Sequence, residues 1–381
     1  MLASVKSIVV EENRRMIAVS DIHGNLAGLK KLLAKLDFNK KDYLFIAGDM
    51  IEKGPQSLNT LRFIMELCKT HNVFPVKGNC DFVAVEIYHD KVHKELLNYM
   101  LRRKKCLLNE MCETLSIKVS RESDMKKIKE ALVRNFSEEL NWIAGLPDII
   151  DTQRFTFAHA GLSSNELDKQ KAEKVRNTDA FLNQGVYLDK YCIVGHWPVI
   201  LYSEAIPACN PIVDNKHKII SIDGGNVVKR NGQLNAFIIP HIYSEEFSYV
   251  SFDEIREGII ISTTEDNNRF WNSLKSKENQ EPNLQEKHDS MLIHWIDNKI
   301  AVLQKEDEFS YCEHNSTKYR MWILNKYIYK EKDGYYCEDS TDYQLPVKTG
   351  ELVSVIEVTK KGYLIKKNGI TGWFFGNIEL L

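Results

Sequence analysis

No stretch of the 381-residue chain approaches the roughly 18 consecutive apolar residues of a membrane-spanning helix. The first residues, MLASVKSIVVEENRR, lack a long apolar core followed by a small-residue cleavage site, so a cytoplasmic protein with no membrane association is the expectation. Charge of one sign is missing too. Lys+Arg 51 against Asp+Glu 53 leaves a net charge of -2, which gives no global field for gathering nucleic acid. Nucleic acid is not an expected partner, and any polyanion must be met by a local site. The cysteines, at 68, 80, 106, 112, 192, 209, 312 and 337, form no CxxC pair and no regular spacing. That suggests neither a zinc knuckle nor a disulfide framework, and reduced thiols are the expectation.

What is present is an ordinary core composition, 43% hydrophobic and 10% aromatic, on a chain long enough for two or three domains. RMIAVSD (15–21), DYLFIAGD (42–49) and NVFPVKGN (72–79) read as strands. Between them Leu26, Leu29, Leu32, Leu33 and Leu36, then Leu58, Leu61, Ile64 and Met65, recur at helical spacing. A β-α-β-α-β order of this kind implies a parallel sheet covered by helices. Residues 82–145 break the rhythm and read as a helical insertion. RFTFAHAG, YCIVGHWP, KIISIDGG and LNAFIIP follow closely and are expected to form a second sheet. NSLKSKENQEPNLQEKHDS (272–290) holds two apolar residues, no aromatic and no β-branched residue, the composition of a flexible linker. Past it the sequence turns all-β. YRMWILNKYIY (319–329) weakly repeats as ITGWFFGNIEL (370–380), with Trp322 and Trp373 in register, which suggests two tandem barrels. The expected domains are 1–245, carrying the insertion 82–145, a connecting segment 246–290, and a β region 291–381.

The chemistry stands at strand ends. Asp21 and His23 follow the first strand, Asp49 the second, Asn79 the third, His159 the fourth, His196 the fifth and Asp223 the sixth. Ligands of open α/β sheets bind beyond the carboxyl ends of the strands, so these side chains converge on one place. Carboxylate, amide oxygen and imidazole together suit a hard-to-borderline dication, and a carboxylate such as Asp49 can bridge two of them. A water held between two such ions becomes nucleophilic enough at neutral pH to attack phosphorus. Taken singly, each histidine is better read as a structural residue. Taken with three Asp or Asn partners, the set reads as metal ligands.

DIHGN (21–25), GDMIEKGP (48–55), GNCD (78–81), HAG (159–161) and GHWP (195–198) stand in the order and spacing of the calcineurin-like metallophosphoesterases. Over roughly residues 15–240 the chain most resembles the phosphoprotein phosphatases and symmetrical diadenosine tetraphosphatases. Pro198, rather than a second histidine after His196, matches that branch. The resemblance implies an α/β fold, a four-layer α-β-β-α sandwich. It implies that Asp21, His23 and Asp49 hold one divalent ion, that Asp49, Asn79, His159 and His196 hold a second, and that Asp223 supports the site from behind. A turn Asp before Gly-Gly is an equal reading of Asp223. Mn, Fe, Zn and Ni all suit the donor set, with Mn the expected activator in vitro. Residues 345–381 resemble bacterial SH3-type modules, implying a peptide or protein partner, with Trp322 and Trp373 read as barrel core.

The departures from the family pattern cluster. Where its G-D-x-x-D-R-G has a second Asp and an Arg, this chain has Glu52 and Lys53, and the residue after Asn79 is Cys80 instead of His. Lys53 still offers phosphate a positive charge, without the bidentate fork of an arginine. Cys80, whether a buried structural thiol or a group at the site edge, is a weaker acid than an imidazolium. GNCD is also similar to the motif of some small phosphodiesterases of the superfamily. The basic run LRRKK (101–105) reads better as a solvated face than as a wall for an anionic substrate, and His71, His89 and His93 as surface residues. The expected activity is metal-dependent phosphoester hydrolysis, with phosphoprotein, nucleotide or phosphodiester as substrate. Two alternatives stay open: a phosphodiesterase of the same superfamily, or a regulatory protein that keeps the metals and has lost turnover.

Overall fold

MIAV and YLFI are continuous apolar runs rather than alternating ones, and a strand of that kind is covered on both faces. In a computed structural model of the chain, which describes residues 1–89, 91, 93–263 and 290–381, both are fully buried strands. The chain divides into two compact units, residues 1–199 with 211–253, and residues 200–210 with 254–381.

The first unit runs β1 (Val5–Ser7), β2 (Met16–Val19), α1 (Leu26–Lys35), β3 (Tyr43–Ile46), α2 (Ser57–Thr70) and β4 (Asn72–Pro75). Five helices follow: α3 (Asn79–Val85), α4 (His93–Arg102), α5 (Leu107–Thr114), α6 (Met125–Asn135) and α7 (Ser137–Ala144). Next come β5 (Ile149–Asp151), β6 (Phe155–Ala158), α8 (Ala172–Asn177), β7 (Tyr191–Val194), β8 (Ile212–Asp214), β9 (Ile219–Ser221), β10 (Leu234–Ile239) and β11 (Ser248–Phe252). One sheet has the order β11-β10-β2-β3-β4, the other β1-β5-β6-β7-β9-β8. Strands β2, β3 and β4 are parallel, as the helical spacing between them requires.

Successive residues of a strand face opposite ways, and the apolar clusters divide accordingly. Met16, Ala18, Tyr43 and Phe45 share a cluster with Phe155, Phe157, Tyr191 and Ile193 of the other sheet. Ile17, Val19, Leu44 and Ile46 instead meet α1, α2 and the helices of the insertion. The rings of Phe45 and Phe157 stack at 3.9 Å between centroids. On the far side of the second sheet, Ala158, Cys192, Val194 and Ile219 pack with Ala172 and Val175 of α8.

Two expectations need correction. LNAFIIP does not join the second sheet; β10 lies antiparallel beside β2 in the first, with Phe237 opposite Ala18. Leu234 and Ala236 supply the helix-side cluster while Phe237 and Ile239 supply the cluster shared by the two sheets, so the strand is satisfied in that position. Residues 246–263 are not a plain connection either. Strand β11 completes the edge of the first sheet, and β12 (Glu257–Ser262) belongs to the second unit. The expected linker at 272–290 lies outside the described residues save Ser290.

The second unit continues with β13 (Leu292–Ile293), β14 (Lys299–Lys305), β15 (Phe309–His314), β16 (Arg320–Leu324), β17 (Ile328–Glu331), β18 (Gly334–Cys337) and β19 (Ser340–Thr341). It ends with β20 (Leu352–Val358), β21 (Tyr363–Lys367), β22 (Ile370–Phe374) and β23 (Asn377–Leu380). Two five-stranded antiparallel sheets result, β16-β15-β14-β18-β17 and β22-β21-β20-β12-β23. Trp322 on β16 and Trp373 on β22 are both buried and belong to one apolar cluster.

Candidate metal centre

Each parallel strand of the first unit ends in a short polar loop, and the loops meet. Asp21, His23, Asp49, Glu52, Lys53 and His196 all have positive φ, between 51° and 73°. Left-handed backbone at a non-glycine residue costs roughly 1–3 kcal/mol and persists only where the surroundings fix it. Here hydrogen bonds between the loops do so. The amides of Asp21, His23 and Gly24 donate to the carbonyls of Gly48, Asp49 and Met50 at 3.1, 2.9 and 2.9 Å, which ties the first loop to the second. Gly78, the glycine ahead of Asn79, is required by close approach: a Cβ there would stand 2.2 Å from Asp49 Oδ1. Gly195 is the same case, with Asp21 Oδ2 at 2.2 Å from such a Cβ.

The six expected ligands come together. Nε2 of His23 lies 3.7 Å from Asp21 Oδ1 and 3.9 Å from Asp49 Oδ2. Nε2 of His159 lies 3.3 Å from Asp49 Oδ1 and 2.9 Å from Asn79 Oδ1. Nδ1 of His196 lies 3.2 Å from the same Asn79 oxygen, and its backbone amide donates to Asp21 Oδ2 at 3.0 Å. Asp49 thus borders both groups through its two oxygens. Ligand atoms of Asp21, Asp49 and His159, and likewise of His23, Asp49 and Cys80, fall within 4.8 Å of one another. Such groups could hold metal ions.

The donor chemistry tests that fit. Nδ1 of His159 is 2.8 Å from the carbonyl of Ala47, so the ring carries its proton there. Burial holds this imidazole below its ordinary pKa, so it is neutral. Its Nε2 lone pair therefore points at Asn79 Oδ1 and Asp49 Oδ1, three acceptors with no proton among them. A cation would relieve such a meeting. His23 differs: its Nδ1 is 3.3 Å from the carbonyl of Ile51, while its Nε2 lies near the carboxylates and 3.0 Å from the Lys53 ammonium. Burial, then Lys53, pushes its pKa down to about 3. The residues present fit a metal ion.

The carboxylates carry the complementary strain. Burial, and then the charge of Asp49, pushes Asp21 up to about 8, and burial followed by Asp21 raises Asp223 well above the usual carboxylate range. Asp49 goes the other way: burial would raise it, but His159, His23 and Lys53 outweigh burial and hold it ionised. Lys53 places its ammonium 3.0 Å from His23 Nε2 and 3.8 Å from Asp49 Oδ2, against the first donor group. Burial lowers the pKa of this ammonium, yet the acidic side chains around it, Asp49 among them, outweigh burial and raise it, so it stays charged. Cys80 is buried at the site edge, its amide donating to Asp49 Oδ1 at 2.8 Å. Burial, then Asp49, pushes its thiol well above the ordinary value, so it is a neutral and very weak acid.

Glu52 is held by the helical insertion. Its Oε2 accepts from the Tyr99 hydroxyl at 2.5 Å and its Oε1 from the Leu107 amide at 2.8 Å, so the helical insertion takes up both oxygens. Asp223 accepts from the Gly225 amide at 2.8 Å, the turn geometry that its sequence suggests, and its charge also reaches Asp21.

Sequence reasoning passed over Asp81. It is fully buried, and its carboxylate accepts from the amides of Gly78, Met50 and Ile51 at 2.9, 3.0 and 3.4 Å, binding the second loop to the third. An acidic residue two places after Asn79, in the first turn of α3, was the available signal. Asn226, which donates to the carbonyls of Asp21 and Ile22, and Asp179, whose carboxylate lies 3.1 Å from His196 Nε2, gave none.

A family model described as calcineurin-like phosphoesterase matches residues 14–211. Relatives named symmetrical bis(5'-nucleosyl)-tetraphosphatase include one from Pectobacterium carotovorum, 29% identical over 174 residues, covering 44% of this chain and 51% of the relative. Another, from Vibrio parahaemolyticus, is 30% identical over 161 residues, covering 41% and 49%. The chain spans about half the length of these curated relatives, and less of some others. Among solved structures, one titled a putative diadenosine tetraphosphatase is 20% identical with a TM-score of 0.41, over 66% of this chain and 99% of that one. A serine/threonine phosphatase from Saccharomyces cerevisiae is 11% identical with a TM-score of 0.43, over 67% and 85%. With its motifs, its converging donors and a family match over residues 14–211, the chain belongs to the calcineurin-like phosphoesterase family.

Proposed function

We propose that the protein is a metal-dependent phosphoester hydrolase whose centre is formed by Asp21, His23, Asp49, Asn79, His159 and His196. The observation that carries this is the meeting of unprotonated acceptors, His159 Nε2 with Asn79 Oδ1 and Asp49 Oδ1, at the shared end of two sheets. Asp21, His23 and Asp49 would hold one divalent ion, and Asp49, Asn79, His159 and His196 the other. When bound, the pair supplies Lewis acidity and a water acidic enough to be a nucleophile at neutral pH, and Mn is the expected activator in vitro.

The chain's own residues do the rest. The Lys53 ammonium balances charge on the phosphoryl oxygens as a point charge. Asp223 and Asp81 hold the ligand loops. Cys80, with its raised thiol, gives the leaving oxygen no proton. General-acid assistance is worth roughly 10²- to 10⁴-fold, most where the leaving group is a basic alkoxide. Aryl esters, activated diesters and pyrophosphate linkages should therefore turn over faster than phosphoserine. The name of the curated relatives points the same way, to a dinucleoside tetraphosphate.

We further read the first unit as a four-layer sandwich, supported by the apolar cluster shared between its sheets and by the helices packed on their other faces. The two five-stranded sheets of the second unit we read as tandem SH3-like barrels that take a peptide or protein segment. A cytoplasmic location accords with the reduced cysteines and with the lack, among the described residues, of a helix long and apolar enough to cross a membrane.

The test is a screen of aryl monoesters and diesters, diadenosine tetraphosphate and phosphopeptides with Mn2+ added. A steep fall in kcat/KM with leaving-group basicity supports the reading. A protein that binds metal yet turns over none of them is the regulatory binder instead.

A further inference from the structure

We propose that Glu52 is a positioning residue: through it the helical insertion holds Lys53 at the donor group and so sets how tightly a phosphoryl group is gripped. This deepens the hydrolase reading and rests on it.

The segment 52–58 is clasped by the insertion at three points. Both Glu52 oxygens are engaged, one by the Tyr99 hydroxyl of α4 at 2.5 Å and one by the Leu107 amide that opens α5 at 2.8 Å. The Lys53 amide donates to the carbonyl of Lys105 at 3.1 Å. The Glu110 carboxylate of α5 accepts from the Ser57 and Leu58 amides, both at 2.8 Å, and so caps α2. Glu52 and Lys53 carry φ of 73° and 67°, two consecutive left-handed residues that do not hold that form unaided. The Lys53 ammonium stands at the far end of the same two-residue bend, 3.0 Å from His23 Nε2. A shift of α4 against the sheet would therefore reach the phosphate-binding charge directly. Glu52 itself touches no reacting atom; it acts through Lys53.

Three substitutions separate the parts. Glu52→Ala removes both acceptors, Glu52→Gln keeps one, and Tyr99→Phe removes only the hydroxyl. With Mn2+ loaded, each is assayed for p-nitrophenyl phosphate hydrolysis, for inhibition by inorganic phosphate, and for hydrogen exchange at the amides of residues 53, 54 and 56–58. Glu52→Ala should raise KM and the phosphate inhibition constant about tenfold, the loss expected when a charged group's hydrogen bonds are removed. Metal content should be unchanged and exchange faster. Glu52→Gln should recover part of the affinity, with Tyr99→Phe between. A merely structural role would lower the melting temperature with no such split between KM and kcat and no rescue by Gln. Unchanged KM and phosphate affinity in a metal-loaded Glu52→Ala protein would overturn the proposal. If the wild type hydrolyses nothing, the hydrolase reading falls by itself. Calorimetric affinity for inorganic phosphate then decides: weaker binding in Glu52→Ala supports positioning, and equal binding refutes it.

Discussion

The two units bury charge in opposite ways. In the second, the buried acids Asp342 and Glu357 and the buried His314 have partners on the protein. Asp342 accepts from the Met291 amide and the Tyr319 hydroxyl, Glu357 from the Tyr327 hydroxyl, and His314 sits between Thr317 and the carbonyl of Asp297. Its non-glycine residues with positive φ, among those described, are Lys318 and Asn368, both in hairpin turns. In the first unit, Asp21, Asp49 and Asp223 crowd one another out of contact with water, and the loops of Asp21 and Asp49 bend through left-handed backbone. A fold that needs only stability resolves its buried charges internally. One that leaves them unresolved at the shared ends of strands is arranged for a ligand that resolves them.

The sharpest way to break this contrast is to remove the carboxylate that borders both donor groups. Asp49→Ala should lower kcat/KM on an aryl phosphate by at least about 10²- to 10³-fold, the range for removing one transition-state stabilising group. Near wild-type turnover would mean that the first unit's crowding serves no chemistry.

Asp81→Ala is the next test, since it leaves every ligand in place and frees only the loop amides they hang on. Metal affinity and turnover should fall together by about 10- to 100-fold, as for other residues that orient metal ligands. Loss of melting temperature alone, with metal binding intact, would make Asp81 an ordinary core residue.

A large-to-small change in the second unit should do the reverse. Trp373 is buried and donates to the Thr341 carbonyl at 2.8 Å. Trp373→Ala should cost about 3–5 kcal/mol in that unit's own unfolding transition. Turnover on a small aryl phosphate should not change, because every proposed ligand lies in the first unit.

The smallest effect is one of pH. In metal-free protein, burial and then Asp49 push Asp21 up to about 8, and burial pushes Asp81 and Glu52 up to about 7, from ordinary values of 3.8, 3.8 and 4.5. His23 and His196, depressed by burial to about 3 and about 4 from 6.5, act in the opposite sense, but only below 6.5. Above 6.5 the folded state binds more protons than the unfolded one, so stability falls as pH rises toward 8. Chelated protein should melt lower at pH 8 than at pH 6.5, and bound Mn2+ should reduce that slope. An equal slope with and without metal would detach these carboxylates from the ion site.

Much of the first unit was legible because its strands are short apolar runs, each closed by a loop rich in Asp, Asn, His and Gly. The period of the apolar residues separated helix from strand, and the polar loop marked the end of the sheet where ligands meet. The placement of LNAFIIP was not legible, because an apolar strand of that length satisfies either sheet, and only the partition of Leu234 and Ala236 from Phe237 and Ile239 decides between them. The partners of Glu52 were not legible either: Tyr99 and Leu107 lie about fifty residues on, in an insertion whose packing no local pattern encodes. Strand β12 was hidden too, since it precedes a polar stretch yet pairs with β20 and β23 far beyond it.

The central claim, that the acceptors meeting at Asp49 form a two-ion centre carrying phosphoester hydrolysis, is met most directly by one titration. Chelated full-length protein is given Mn2+ in steps, and bound metal per chain is measured beside turnover of bis-p-nitrophenyl phosphate and p-nitrophenyl phosphate. The account predicts no turnover without metal, and activity that rises as occupancy approaches two ions per chain. Full turnover in the chelated protein, or activity that saturates with a single ion bound, would contradict it.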